Sequence, residues 1–121
     1  MKLRILVVDD EPSIGRLYRE ELEDEGYEVK VASSGKEALD VLDGFDPDVV
    51  TLDVKMPGMD GIETLRALKE RRRTLPVILC TAYDEYKEDF GSWACDAYIV
   101  KSSDLDELKA AVRRALRSGT A

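Results

Sequence analysis

Five short apolar runs alternate with longer stretches in which apolar residues recur every three or four positions. The runs are LRILVV at 3 to 8, YEVKVA at 27 to 32, DVVTLD at 48 to 53, PVILCT at 76 to 81 and AYIVK at 97 to 101. Short runs rich in Val and Ile fit buried strands, and the intervening periodicity fits amphipathic helices. Strand and helix alternating in this way predict an α/β fold: a doubly wound, five-stranded parallel sheet with helices on both faces. In the second run Tyr27, Val29 and Val31 alternate with Glu28 and Lys30, the pattern of an edge strand. The first, third and fourth runs are more continuously apolar and are predicted to be central.

The helices are delimited by their own signals. Pro12 suits a first turn, Ile14, Leu17, Tyr18 and Leu22 are expected to share one face, and Gly26 is placed to close the end. Ser34-Gly35-Lys36-Glu37 reads as a capping box that opens a second helix, with Ala38, Leu39 and Leu42 turned inward. A third runs from Ile62 through Leu65 and Leu68 into Arg71, Arg72 and Arg73, cations that complement the negative end of a helix. A fourth pattern, 84 to 96, is interrupted by Gly91, which costs about 1 kcal/mol relative to alanine inside a helix. The last is expected to begin near Ser103 or Asp104 and to bury Leu105, Leu108, Val112, Ala115 and Leu116. No repeat or linker interrupts the 121 residues, so one domain over 1–121 is expected, with 118–121 a frayed tail or the start of a linker.

Charge and composition narrow the chemistry. A formal net charge of −8 opposes direct binding to nucleic acid or an anionic membrane, since both require cationic surface. No apolar run is long enough to span a bilayer and the first residues do not read as a secretory leader, so a cytoplasmic location is expected. Cys80 and Cys95 have no metal-ligand spacing, and Cys80 reads as a buried, reduced thiol. The absence of histidine removes serine–histidine triads, histidine metal sites and an internal phosphohistidine. Chemistry is left to carboxylates, hydroxyls, lysines and thiols.

Reactive residues collect where the strand runs stop: Asp9 and Asp10 after the first, Asp53 after the third, Thr81 after the fourth and Lys101 after the fifth. In a parallel sheet these ends share one edge. With strand order 2-1-3-4-5 the topological reversal lies between the first and third strands, which brings Asp9, Asp10 and Asp53 together. Any one of these residues is ordinary turn chemistry by itself; their coincidence at one edge is not. Three adjacent carboxylates raise one another's pKa unless a cation intervenes, and Mg²⁺ suits a site with so few protein ligands. Thr81 can donate a hydrogen bond and Lys101 a positive charge to phosphoryl oxygens.

Other phosphate sites lack their signatures. No G-x-G-x-x-G follows the first strand and no G-x-x-x-x-G-K-[ST] occurs, so dinucleotide and P-loop cradles are missing. The acidic loop DDEPS repels a bare phosphate and disfavours a flavin site, and DVKMPGMDG lacks the ligand spacing of an EF-hand.

The chain resembles the receiver domain of bacterial two-component response regulators over essentially its whole length. The resemblance rests on VVDDEP at 7 to 12, LDVKMPGMDG at 52 to 61, Thr81-Ala82 and Tyr98-Ile99-Val100-Lys101. It implies a flavodoxin-like fold and a phosphorylation-dependent switch in which Asp53 is the phosphoacceptor, with no enzymatic turnover beyond its own phosphorylation and dephosphorylation. Asp10, Asp53 and the backbone carbonyl of Lys55 are implied as Mg²⁺ ligands, with Asp9 holding metal-bound water. Lys101 is implied to bind the phosphoryl group, Thr81 to turn its hydroxyl toward it, and Tyr98 to swing inward as Thr81 does. The implied partners are a sensor histidine kinase or phosphotransfer protein and an unidentified downstream effector, and phosphorylation-dependent dimerisation is a further possibility.

Two alternatives belong to other classes. One is a Mg²⁺-dependent phosphatase working through an aspartyl phosphate; Lys55 stands where such an enzyme needs an acid. The other is a degenerate receiver acting as a constitutive binding module. The departure that motivates it is Ser102, where the family has proline after the lysine; a cis bond without proline costs about 3 kcal/mol. Lys55 and Tyr83 occupy positions that tune phosphoryl lifetime in the family. Tyr83, Tyr86, Phe90, Trp93 and Tyr98 cluster in the segment expected to switch and mark a candidate partner surface.

Overall fold

The computed structural model describes residues 2–53, 61–81, 97–100 and 105–119. Five strands, β1 (Arg4–Val8), β2 (Glu28–Ala32), β3 (Val49–Asp53), β4 (Val77–Thr81) and β5 (Ala97–Val100), form one parallel sheet in the order β2-β1-β3-β4-β5. Four helices are described: α1 (Pro12–Asp24), α2 (Gly35–Phe45), α3 (Gly61–Arg71) and α4 (Asp106–Gly119). The central strands are the expected ones. Every residue of β3 is buried, whereas β2 alternates between exposed Glu28 and Lys30 and buried Val29, as its edge position requires.

Because side chains alternate along a strand, the sheet divides the interior into two layers. Ile5, Val7, Val49, Ile78 and Cys80 face α1 and α4, where Tyr18, Leu22, Leu108 and Val112 meet them. Leu6, Val8, Val50, Leu52, Val77 and Leu79 face α2 and α3, against Ala38, Leu42, Leu65 and Leu68. Cys80 is a buried, reduced thiol, as its apolar strand predicts.

Helix α1 keeps its predicted ends. Pro12 occupies the first turn, and at the other end Gly26 adopts φ +96° while its N–H bonds to the Glu23 carbonyl at 3.0 Å. The Tyr27 N–H reaches back to the Leu22 carbonyl at 3.3 Å, completing a Schellman closure. Its buried face is narrower than expected: Leu17 is 40% exposed, because the stripe runs through Gly15, Tyr18 and Leu22. Leu17 precedes Tyr18 by one residue, a rotation of about 100° that carries it off that stripe. Gly15 allows a close approach to β2; a Cβ there would lie 2.8 Å from Val31 Cγ1.

Helix α2 opens as a modified capping box. The Ser34 side chain accepts the Glu37 N–H at 3.1 Å, and the Glu37 carboxylate accepts both the N–H and the hydroxyl of Ser33, one residue further back than the standard arrangement. These bonds hold the Glu37 carboxyl below its ordinary pKa. At the other end Asp46 takes the left-handed conformation, φ 53°, and its N–H bonds to the Leu42 carbonyl. Three carbonyls of α2 also accept from side chains outside it: Arg4 donates to Phe45 O, Arg71 to Leu39 O and Arg72 to Leu42 O. Arg72 also pairs with Asp43 and Asp46. The arginine run thus serves the C-terminal end of the neighbouring helix α2, where cations offset the partial negative charge.

Two ion pairs one turn apart join α1 to α4, Glu21 to Lys109 and Glu25 to Arg113, each at 3.1 Å. Helix α4 starts at Asp106, with the Leu105 carbonyl accepting the Lys109 N–H, and it continues through Ser118 to Gly119. Ser103 and Asp104, the helical pattern at 84 to 96, Cys95 and the Lys101–Ser102 peptide lie outside the described residues. No described helix is long and apolar enough to cross a membrane.

Candidate functional site

The site begins with strand order. β1 lies beside β3 with Val8 opposite Leu52, so the next residue, Asp9, emerges beside Asp53 at the C-terminal edge of the sheet. The Asp9 N–H bonds to the Ala32 carbonyl at 3.0 Å, extending the β1–β2 ladder by one residue. The Asp9 carboxylate turns forward and its Oδ1 accepts the Glu11 N–H at 3.0 Å, which shapes the entry to α1. Asp9 is 3% exposed, Asp53 7%, and Asp10 is half-buried. One carboxylate oxygen from each of the three lies within 4.8 Å of the others.

Three carboxylates at that spacing, two of them buried, repel one another strongly unless the charge is compensated. An all-oxygen donor set with a partly open side fits a hard divalent cation that keeps several waters and accepts an additional oxygen ligand. The arrangement therefore suits charge-neutralised chemistry on a carboxylate, with Asp10 on the solvent side.

The other sequence-selected residues fall into two groups. Thr81 ends β4 one residue beyond Cys80, which is opposite Asp53, so its backbone reaches the same edge of the sheet. Tyr98 lies on β5 opposite Leu79, and Val100 is opposite Thr81. Lys55 and Lys101 lie outside the described residues.

Sequence reasoning passed over two groups beneath the acidic trio. The Tyr18 phenol, read only as a core residue of α1, has its pKa raised by burial first and then by the proximity of Cys80, Asp9 and Asp53. Thr51, read only as part of an apolar run, is 1% exposed and its hydroxyl has no hydrogen-bond partner among the described residues. The available signal was the same in both: a hydroxyl at a position whose periodicity demands an aliphatic side chain.

A cavity of about 200 Å³ bounded by Leu3, Pro47, Leu75, Pro76 and Leu116 lies at the other edge of the sheet, where strands β1, β3 and β4 begin. It contributes nothing to the acidic site.

Comparison with known proteins agrees with this geometry. The family model described as "Response regulator receiver domain" matches residues 5–113. Regulatory protein AtoC of Escherichia coli is 40% identical over 116 residues, covering 94% of this chain and 25% of AtoC. Response regulator MprA of Mycolicibacterium vanbaalenii is 40% identical over 122 residues, covering 99% of this chain and 53% of MprA. The chain thus spans about half or less of these curated relatives. Among solved structures, response regulator protein TrrA from Thermotoga maritima in complex with Mg²⁺-BeF has a TM-score of 0.89 at 47% identity, covering 96% of this chain and all of that one. TrrA has also been crystallised in complex with histidine kinase ThkA, where its TM-score to this chain is 0.87. With its sheet order, its acidic edge and a family match over most of its length, the chain belongs to the response regulator receiver domain family.

Proposed function

We propose that this chain is a phosphorylation-dependent signalling switch of a two-component system, accepting a phosphoryl group on Asp53 from a phosphohistidine of a partner protein. The observation that carries the reading is the convergence of Asp9, Asp10 and Asp53, from the ends of two adjacent strands, on a space 4.8 Å across. The donor histidine lies outside these 121 residues, which contain none. The complexes of TrrA with Mg²⁺-BeF and with a histidine kinase support the same assignment.

Asp53 is the nucleophile: a carboxylate oxygen forms a bond to phosphorus while the phosphorus–nitrogen bond of the donor breaks, and the departing imidazole nitrogen takes up a proton. Asp10, Asp53 and the backbone carbonyl of Lys55 are the residues to hold Mg²⁺, with Asp9 acting through metal-bound water. When bound, Mg²⁺ neutralises the carboxylates and the phosphoryl oxygens. Lys101 pairs with the phosphoryl group, and the Thr81 hydroxyl bonds to it. Attack in line requires little more from the protein than positioning and charge compensation.

Phosphorylation places about two negative charges where a single carboxylate stood. Thr81 and Tyr98 act as the switch, and the adjacency of β4 and β5 provides a short path between them. The surface around β4 and β5 is the one we assign to an unidentified downstream effector and to phosphorylation-dependent dimerisation. The reading involves neither nucleic acid nor membrane contact by this domain. It places the protein in the cytoplasm, where the reduced thiol of Cys80 persists.

Incubation with Mg²⁺ and acetyl phosphate, followed by intact mass measurement of wild type and Asp53→Asn, tests the assignment. One phosphoryl adduct on wild type and none on the variant is expected. No adduct on wild type favours a constitutive binding module, and rapid turnover of an unrelated phosphate ester favours a phosphatase.

A further inference from the structure

We propose that Thr51 is a positioning residue for the phosphoacceptor, its buried hydroxyl acting as a rotatable dipole directly beneath Asp53. The inference rests on the assignment of Asp53 as phosphoacceptor and deepens it.

Thr51 precedes Asp53 by two residues on β3, so both side chains project from the same face of the sheet. That is the face shared by Val49, Tyr18 and Cys80. In the registers, Thr51 lies opposite Val7 of β1 and Ile78 of β4, while the row above it contains Asp9, Asp53 and Cys80. Thr51 is thus the central residue of the layer under the acidic site, flanked on both sides by aliphatic residues.

Packing gives no reason for a hydroxyl there. Valine has nearly the same shape, and a buried hydroxyl without a partner is destabilising relative to an apolar group. Thr51 is 1% exposed and its Oγ1 has no hydrogen-bond partner among the described residues. A local rule broken at a stability cost, one row from a reactive carboxylate, points to the chemistry above it.

The physical role follows from the freedom of the hydroxyl. An unbonded O–H rotates about its C–O bond and turns its positive end toward negative charge. In a dry interior that interaction is stronger than in water. The charge at Asp53 grows when the phosphoryl group is transferred, so the dipole stabilises the transition state and the phosphorylated product more than the resting carboxylate. Removing a donor in direct contact with a developing charge slows an enzyme roughly 100- to 1,000-fold. A donor one row away is expected to account for about 3- to 10-fold.

The test compares wild type, Thr51→Val and Thr51→Ser in phosphorylation by acetyl phosphate with Mg²⁺, following formation and decay of the adduct by intact mass, alongside thermal unfolding of each chain. The expected result is about 3- to 10-fold slower formation in Thr51→Val, with a thermal midpoint equal to or above wild type, and a formation rate within about twofold of wild type in Thr51→Ser. A purely structural role moves stability and rate in the same direction, so their divergence supports the proposal. Thr51→Val kinetics that superimpose on wild type, or a defect that serine does not rescue, overturn it. If Thr51→Val does not fold, the contrast between Thr51→Ser and Thr51→Ala carries the same decision. Failure of wild type to form any adduct overturns the phosphoacceptor assignment as well, which separates the two outcomes.

Discussion

The Oδ1 oxygen of Asp9 accepts the backbone N–H of Glu11 at 3.0 Å, so one member of the acidic trio also shapes the loop that leads into α1. Charge and hydrogen-bonding capacity are separable at this residue. Asp9→Asn keeps an acceptor oxygen and removes a negative charge from the trio, and is expected to fold at least as stably as wild type without added metal. Asp9→Ala also loses the acceptor and is expected to be about 0.5–1.5 kcal/mol less stable than Asp9→Asn. Both should bind Mg²⁺ more weakly, as measured by titration followed through thermal unfolding.

Repulsion within the trio predicts a reversal of stability on adding Mg²⁺. In chelator, Asp53→Asn is expected to exceed wild type by on the order of 1 kcal/mol, because one of three carboxylates within 4.8 Å has been neutralised. Added Mg²⁺ raises the wild-type unfolding midpoint through binding to the folded state alone, and raises that of Asp53→Asn much less. A midpoint for wild type that ignores Mg²⁺ across the millimolar range defeats the cation assignment.

Two glycines in helices predict opposite responses. A Cβ at Gly15 meets Val31 Cγ1 at 2.8 Å, and the branched valine has few alternative rotamers, so Gly15→Ala is expected to destabilise by about 1–3 kcal/mol. Combining it with Val31→Ala removes the obstruction, so the double variant should lose less than the two single losses added together. Nothing lies within 4 Å of a Cβ at Gly44, and Gly44→Ala is expected to stabilise α2 by about 0.5–1 kcal/mol. Denaturant unfolding of the four variants beside wild type measures both effects.

Alkaline stability reports on Tyr18. Burial raises its phenol pKa in the folded chain, so above about pH 10 the unfolded chain releases this proton while the folded chain retains it. The contribution is fully present below that pH and is lost as pH rises through the folded pKa. Lys109 works in the same direction, since the hydrogen bond to Glu21 holds its ammonium protonated, and the informative quantity is the difference between two chains. Tyr18→Phe keeps the ring in the core and should lose less stability than wild type between pH 9 and 11.5 in thermal melts. Parallel curves for the two chains refute the assignment of this pH dependence to Tyr18.

The arginines at 71 and 72 show where reading the sequence stops. Their position at the end of a helical pattern implied cations for a helix C-terminus, and that much is correct. Their reach to the carbonyls of Leu39 and Leu42 depends on α2 and α3 lying side by side, a relation between segments some 30 residues apart. Glu37 binds Ser33 for a local reason: its side chain follows the path of the chain entering α2, which residue spacing does not specify. Strand order, the edge position of β2 and the meeting of Asp9, Asp10 and Asp53 were legible because period and topology determine them. Leu17 was misplaced because a helix face has a width that spacing alone does not specify. The polar character of Thr51 was hidden because threonine fits a strand pattern as well as valine does.

The sheet also insulates one packing layer from the other. Asp53 and Thr51 face the side containing α1 and α4, while Leu42, Leu65 and Leu68 pack on the other. Substitutions beneath α2 and α3 are therefore screened from the Asp53 side by the sheet, so packing there can change stability without touching the layer that holds the carboxylate.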